Sequence, residues 1–167
     1  MILTTERLAL RKFQPEDAEF FLKLVNTKGW LQFIGDRNIK TVKDAEDYLL
    51  YKIISNYSQS NFGFYIIRLK NTLNPIGMSG LVKRPFLTYT DLGYALLPEY
   101  EGFGYAFEAS KAMLQYAKEE FKLHTLNAIV KEDNQKSVQL LEKLTFVRQD
   151  KIIIPEGEEV LLYEVSL

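Results

Sequence analysis

The chain contains no cysteine and a single histidine, His124. Thiol nucleophiles, disulfide frameworks and Cys-ligated zinc or iron–sulfur centres are thereby excluded, as is any metal site built on several imidazoles. Neither sign of charge is in excess. Lys and Arg number 21 against 22 Asp and Glu, a net charge of -1, so there is no broad field to draw in nucleic acid or an anionic membrane. No apolar run approaches the roughly eighteen residues of a membrane span, and Met1 to Arg7 lacks the basic-then-apolar pattern of an export signal. The expectation is a cytoplasmic protein whose chemistry rests on carboxylates, hydroxyls, phenols, backbone dipoles or a bound cofactor.

What is present is the composition of one globular domain. Of 167 residues 47% are apolar and 26% charged, and aromatics reach 13%, with ten Tyr and eleven Phe. In residues 7–13, Leu8 and Leu10 fall on one side and charged Arg7 and Arg11 on the other, the two-residue period of a half-buried strand. Pro15-Glu16-Asp17 opens a helix bearing Ala18, Phe21, Leu22 and Val25 at helical spacing, which should stop before Gly29. Thr41 and Asp44 form a capping-box pair ahead of a second helix over 42–57. Strands are predicted at 62–69, 76–83 and 90–97, a strong helix from about Tyr105, a strand at 125–130, a helix capped by Asp133 or Asn134, and two closing strands at 146–154 and 160–167. No linker or repeat interrupts this order, so residues 1–167 read as a single mixed α/β domain.

The segment with chemical promise is Gly102-Phe103-Gly104, a short loop between a strand and a helix. Amides at a helix start have no intrahelical partner, and glycine lets a phosphate approach the main chain. The loop lacks the Gly-Lys-Ser/Thr ending of a nucleotide-hydrolysing P-loop, and Phe107 stands where a dinucleotide fingerprint has its third glycine. Alone, such a pair of glycines is also compatible with an ordinary strand-to-helix turn.

The longer run Asp91-Leu92-Gly93-Tyr94-Ala95-Leu96-Leu97-Pro98-Glu99-Tyr100-Glu101-Gly102-Phe103-Gly104-Tyr105-Ala106-Phe107-Glu108-Ala109 resembles the acetyl-CoA-binding motif of the GNAT N-acetyltransferases. Within them it is similar to the branch that includes the ribosomal-protein N-terminal (alanine/serine) acetyltransferases. Thr5-Glu6-Arg7-Leu8 with Leu10-Arg11 resembles that branch's opening strand, Glu16-Asp17-Ala18 its first helix, and 134–146 its second cofactor-contacting helix.

The resemblance implies a GNAT-like acyl-CoA N-acyltransferase fold, a mostly antiparallel mixed sheet of about seven strands flanked by about four helices, with splayed central parallel strands. It implies acetyl-CoA as cofactor, with the pantetheine arm along the strand that ends at Leu96 and Leu97. A bulge there would free a backbone N–H, that of Leu96 or a neighbour, to stabilise the thioester oxygen. The pyrophosphate would rest on amides of Gly102, Phe103, Gly104, Tyr105 and Ala106, and Asn134 and Ser137 would touch the cofactor arm. Three departures stand out. Glu99 replaces a Gln or Arg, Leu141 occupies the place of a tyrosine that serves some acetyltransferases as general acid, and Thr145 replaces a helix-ending glycine. Ser137 is then the hydroxyl at hand for the departing thiolate. A β-branched residue at Thr145 predicts either a strained left-handed backbone or a differently closed turn.

An attacking amine must lose a proton near neutral pH, and Asp91 is the candidate base. Trp30, Phe33, Phe64, Tyr65 and Tyr163 are the candidate lining of the acceptor pocket. Glu99, Glu101 and Glu108 read as surface or helix-start charges, and His124 as structural. The implied activity is direct acetyl transfer in a ternary complex to a primary amine, either a small molecule or a protein N-terminus. Family members often dimerise, so a homodimer is compatible. A non-catalytic acyl-CoA-binding or regulatory module and a nucleotide-binding α/β protein remain as alternative readings of the same loop.

Overall fold

Leu8, Ala9 and Leu10 form a buried apolar run flanked by Arg7 and Arg11, and Phe64 to Leu69 is rich in aromatic and β-branched residues; each stretch forms a strand that buries one or both faces. The computed structural model describes residues 1–167 and holds eight strands: β1 (Leu3–Thr4), β2 (Leu8–Lys12), β3 (Phe64–Leu69), β4 (Pro75–Val82), β5 (Thr90–Leu96), β6 (Thr125–Val130), β7 (Val147–Ile153) and β8 (Glu159–Ser166). They form one sheet in the order β1-β2-β3-β4-β5-β6-β8-β7. The strand beyond the expected seven is β1, a two-residue pairing of Leu3 and Thr4 with Leu10 and Ala9. All neighbours run antiparallel except β5 and β6.

Six α-helices, more than the expected four, cover the two faces. A 3-10 turn at Pro15–Asp17 leads into α1 (Ala18–Val25). The chain does not stay open after Gly29: α2 (Lys28–Phe33) starts before it, because Thr27 Oγ1 accepts from the Trp30 amide and caps a new helix. The Thr41–Asp44 capping box starts α3 (Val42–Tyr48), which continues through a π-helical stretch at Leu49–Ile54 into α4 (Asn56–Gln59). On the opposite face lie α5 (Tyr105–Phe121) and α6 (Gln135–Lys143). No helix is long and apolar enough to cross a membrane.

Two cores result, one on each face. Phe21, Leu24, Ala45, Leu49, Ile66 and Met78 join α1 and α3 to the sheet, and Met113, Ala117, Val138, Leu141, Leu126 and Tyr65 join α5 and α6 to it. What positions the site is the one parallel pair. β5 and β6 match only at Thr90 with Leu126 and Asp91 with Asn127, while β6 stays paired to β8 from Thr125 to Val130. Beyond Asp91 the two strands diverge and a cleft opens in the middle of the sheet.

The end of α6 bears the strained alternative. Thr145 has φ 67°, its N–H donates to Glu142 O at 2.9 Å, and the Phe146 N–H donates to Leu141 O at 3.0 Å. Those two bonds are a Schellman closure, with Leu141 and Phe146 supplying the apolar contact. Thr145 is exposed, so its side chain makes no packing that glycine would lose, and the backbone geometry argues for glycine there. Thr145→Gly should stabilise the protein by about 1 kcal/mol and raise the melting midpoint by roughly 2–4 °C. An unchanged or lower midpoint in thermal denaturation would show that the threonine is not strained.

Candidate active site

Strand pairing decides which amides of β5 face the cleft. The Leu97 N–H donates to Ile76 O at 2.8 Å, and Leu96 is opposite Gly77 in the antiparallel register. Hydrogen-bonded and non-hydrogen-bonded pairs alternate along such a ladder, so residues 91, 93, 95 and 97 turn their amides to β4, whereas Tyr94 and Leu96 turn theirs toward β6. Because β6 has already diverged, the amides of Tyr94 and Leu96 look into the cleft. The expected bulge is absent, since the β4–β5 register runs without a shift. The splay exposes the Leu96 N–H instead. Leu97, expected at the cofactor, has both main-chain groups engaged: its N–H with Ile76 and its carbonyl with the Tyr100 N–H at 3.0 Å. Its side chain is buried in the α1/α3 core.

After β5 a 3-10 turn at Pro98–Tyr100 leads into the glycine loop. Gly102 and Gly104 both have φ 82°, a region closed to most side chains, and a Cβ on Gly102 would meet nothing within 4 Å. The first intrahelical bond of α5 is Glu108 N–H to Gly104 O, so the amides of Gly102 to Phe107 have no acceptor in the protein. They converge at the positive end of a 17-residue helix. An anion with several oxygens fits this cradle, and the pyrophosphate of CoA is such a group.

Across the cleft, Asn134 caps α6 by accepting from the Ser137 amide at 3.4 Å. Ser137 Oγ is hydrogen-bonded to the Tyr94 hydroxyl at 2.6 Å, so one bond joins β5 to α6 over the opening. Burial pushes the Tyr94 phenol above its usual range, and the bond to Ser137 pulls the other way. Tyr94 was missed in the sequence. Its signal was the two-residue alternation with Leu92 and Leu96, which aims it at the α5/α6 face. At the mouth an exposed ion pair, Lys136 Nζ to Glu101 at 3.0 Å, spans the same gap. Glu99 pairs with Lys23 on the surface.

Asp91 sits where the strands part. It alternates with Ala95, which packs on the α1/α3 core, and with Gly93, whose Cβ would lie 2.9 Å from Phe64. The carboxylate therefore faces the α1–α4 side, opposite Tyr94 and Ser137. It is 2% exposed, with Oδ2 accepting from Arg84 Nε at 2.7 Å and Oδ1 without a hydrogen-bond partner. Burial pushes its pKa up to about 6, against the opposing pull of Arg84 and the Ile129 amide. Beside it the buried Asn127 is fully employed, accepting from the Tyr89 amide and donating to Tyr163 O.

The candidate pocket residues separate. Phe64 and Phe33 are partly exposed, and Phe64 lies on the Asp91 side of the sheet. Trp30 is 6% exposed within the α1/α3 core, with its indole N–H unpaired. Tyr65 and Tyr163 do not belong with them. Tyr65 follows Phe64 by one residue and so points through the other face, where it stacks on Tyr57. Tyr163 is 1% exposed beneath α6, its hydroxyl directed to Glu142.

Set against known proteins, residues 7–147 match the acetyltransferase (GNAT) domain family. YnaD, an uncharacterized N-acetyltransferase of Bacillus subtilis, is 26% identical over 162 residues, covering 95% of this chain and 91% of its own length. The crystal structure of an acetyltransferase from Agrobacterium tumefaciens superposes with a TM-score of 0.83 at 26% identity, over 98% of this chain and 92% of that one. RimL, a ribosomal-protein alpha-N-acetyltransferase in complex with coenzyme A, superposes with a TM-score of 0.85 at 17% identity, over 99% and 97% of the two chains.

The raised pKa of Asp91 fixes a sign for stability. The folded state holds the proton more tightly than the unfolded chain does, so stability falls as pH rises through the interval from about 4 to about 6. Asp91→Asn lacks this titration. Its stability relative to wild type should therefore improve by roughly 3 kcal/mol across that interval. Chemical denaturation of both proteins at several pH values checks it, and a flat difference would mean an unperturbed carboxyl.

Proposed function

Belonging as it does to the acetyltransferase (GNAT) family, the chain is an acetyl-CoA-dependent N-acetyltransferase, and we propose that it passes the acetyl group directly to a primary amine bound in the same complex. That membership displaces the nucleotide-binding and purely regulatory readings of the glycine loop. The observation that carries the proposal is the cleft between β5 and β6, which joins an anion cradle at its mouth to cleft-facing amides and to polar side chains on both faces of the sheet.

Acetyl-CoA supplies a thioester whose carbonyl carbon is open to an amine. In our reading the amides of Gly102, Phe103, Gly104, Tyr105 and Ala106 hold its pyrophosphate. The Leu96 N–H, fixed by the β4 ladder, donates to the thioester carbonyl as negative charge gathers on it, at no reorganisation cost because the strand is already in place. Asp91 receives the amine's proton through ordered water leading toward Oδ1, the oxygen that Arg84 leaves free, because five extended residues, roughly 17 Å of strand, separate it from Leu96. A carboxyl with a pKa of about 6 is ionised at pH 7 yet basic enough to take part. On the opposite face Ser137, held by Tyr94, is the hydroxyl that meets the departing thiolate, in the absence of any hydroxyl on Leu141.

The acceptor would approach from the α1–α4 side, past Phe64 and Phe33. RimL modifies a ribosomal protein, and a protein N-terminus or a small primary amine is accordingly the substrate class proposed here. A panel of amines and short peptides, read by thiol release from acetyl-CoA, tests the reading. Intersecting initial-rate patterns are expected for a ternary complex. Tight CoA binding with no turnover on any acceptor would sink the proposal.

Two sets of variants follow. Gly102→Val and Gly104→Val place a β-branched residue at φ 82° over the amides, and each should weaken CoA binding at least about tenfold by calorimetry. Asp91→Asn should lower kcat by about a hundredfold at pH 7 and lack the fall in kcat/KM below pH of about 6 that is expected of wild type. Retention of that acid limb in the variant would assign it to another group.

A further inference from the structure

Arg7 lies 96 residues before Phe103 in the chain, yet it is built into the glycine loop. Its Nη1 donates to Phe103 O at 2.9 Å, its Nε donates to Glu108 Oε2 at 2.7 Å, and its guanidinium covers the Tyr105 ring at 4.5 Å. The Arg7 amide and Thr5 Oγ1 both donate to Glu108 Oε1. Loop, helix start and opening strand are thus tied at one guanidinium. The fixed fork of five donors allows this; an ammonium would have to choose among the partners.

Two consequences follow from peptide geometry and charge. In a trans peptide the C=O and the following N–H point in opposite directions. Anchoring Phe103 O on Arg7 therefore aims the Gly104 N–H away from the guanidinium, to the side where it has no protein acceptor. Without that anchor this peptide, between residues of a loop with glycine on either side of Phe103, is free to turn over and present an oxygen where an anion needs a hydrogen. The second consequence concerns Glu108. A carboxylate in the first turn of α5 would repel a bound pyrophosphate, and the bonds from Thr5 and Arg7 hold it toward the guanidinium and keep its pKa below the usual range, against the effect of burial.

We infer that Arg7 is a positioning residue for the anion cradle, setting the Phe103–Gly104 peptide and neutralising Glu108 so that the loop binds the pyrophosphate end of acetyl-CoA. This rests on the acetyltransferase reading above. It deepens that reading by placing the selectivity for a nucleotide-bearing donor partly in the N-terminal segment.

The test compares donors with and without the pyrophosphate, using wild type, Arg7→Lys and Arg7→Met. Calorimetric affinity for CoA should fall about tenfold or more in both variants, the loss of a charge-assisted anchor. Turnover of S-acetylpantetheine, which has no pyrophosphate, should keep its kcat/KM within about twofold of wild type. Arg7→Lys keeps the charge and part of the packing, so it carries the test should Arg7→Met fold poorly. Equal losses on both donors would make Arg7 merely structural and overturn the inference, as would unchanged CoA affinity in both variants. A wild-type protein that binds no CoA would overturn the acetyltransferase reading itself.

Discussion

Everything at the proposed site depends on β5 and β6 ceasing to pair after Asp91 and Asn127. A parallel ladder carried through to Leu96 would have consumed the cleft-facing amides of β5 and sealed the sheet. Each strand can afford the break because its other edge is occupied, β5 by β4 and β6 by β8, over nearly its full length. The unpaired edges lie within a three-layer body, so they do not present the aggregation hazard of an exposed edge strand. The break also separates α5 from α6, and the Tyr94–Ser137 bond, the exposed Lys136–Glu101 pair and Lys143 over the Phe107 ring are side-chain links across it. Surface pairs of that kind contribute at most about 1 kcal/mol, so the cleft is lightly closed where a ligand must enter.

A chain with a net charge of -1 has to gather positive potential locally if it is to hold a polyanion. The glycine loop does so with main-chain dipoles at φ 82°, and the guanidinium of Arg7 is used indirectly, on Phe103 O and Glu108. Net charge therefore says little about such binding, because oriented amides carry no formal charge.

The order of elements was legible because its signals are local. The Thr41–Asp44 box, the long amphipathic face of α5 and the loop at Gly102 were each read within a few residues of where they fall. Thr145 was readable as an anomaly for the same reason, since a β-branched residue at a helix end is a local contradiction. What failed was of two kinds. The helix over Lys28–Phe33, which carries Trp30, was not foreseen beyond Gly29 because the Thr27 cap that starts it is weak in sequence. Tyr65, Tyr163 and Leu97 were assigned to a site by resemblance, whereas the face each strand residue uses and the partner that takes its amide are set by strand pairing. Arg84 reaches Asp91 across the short β4–β5 connection, whereas Arg7 reaches the loop from 96 residues away.

The two faces of β5 suggest why Asp91 is worth its burial. A carboxyl whose pKa is raised to about 6 by desolvation destabilises the folded state when ionised, and a neutral isostere would relieve that. The one-sided pairing matters here. Arg84 occupies Oδ2 and holds the group in place, with a weaker pull from the Ile129 amide, and Oδ1 has no donor within hydrogen-bond distance. A second donor would have stabilised the carboxylate and made it a weaker base, too weak to help an amine lose a proton near neutrality. The unsatisfied oxygen is thus the feature on which stability and the proposed chemistry make opposite demands, and its position on the α1–α4 side places the proton acceptor across the sheet from the Tyr94–Ser137 hydroxyls. An amine entering from one face and a thiolate leaving toward the other would then each meet the kind of group its protonation requires.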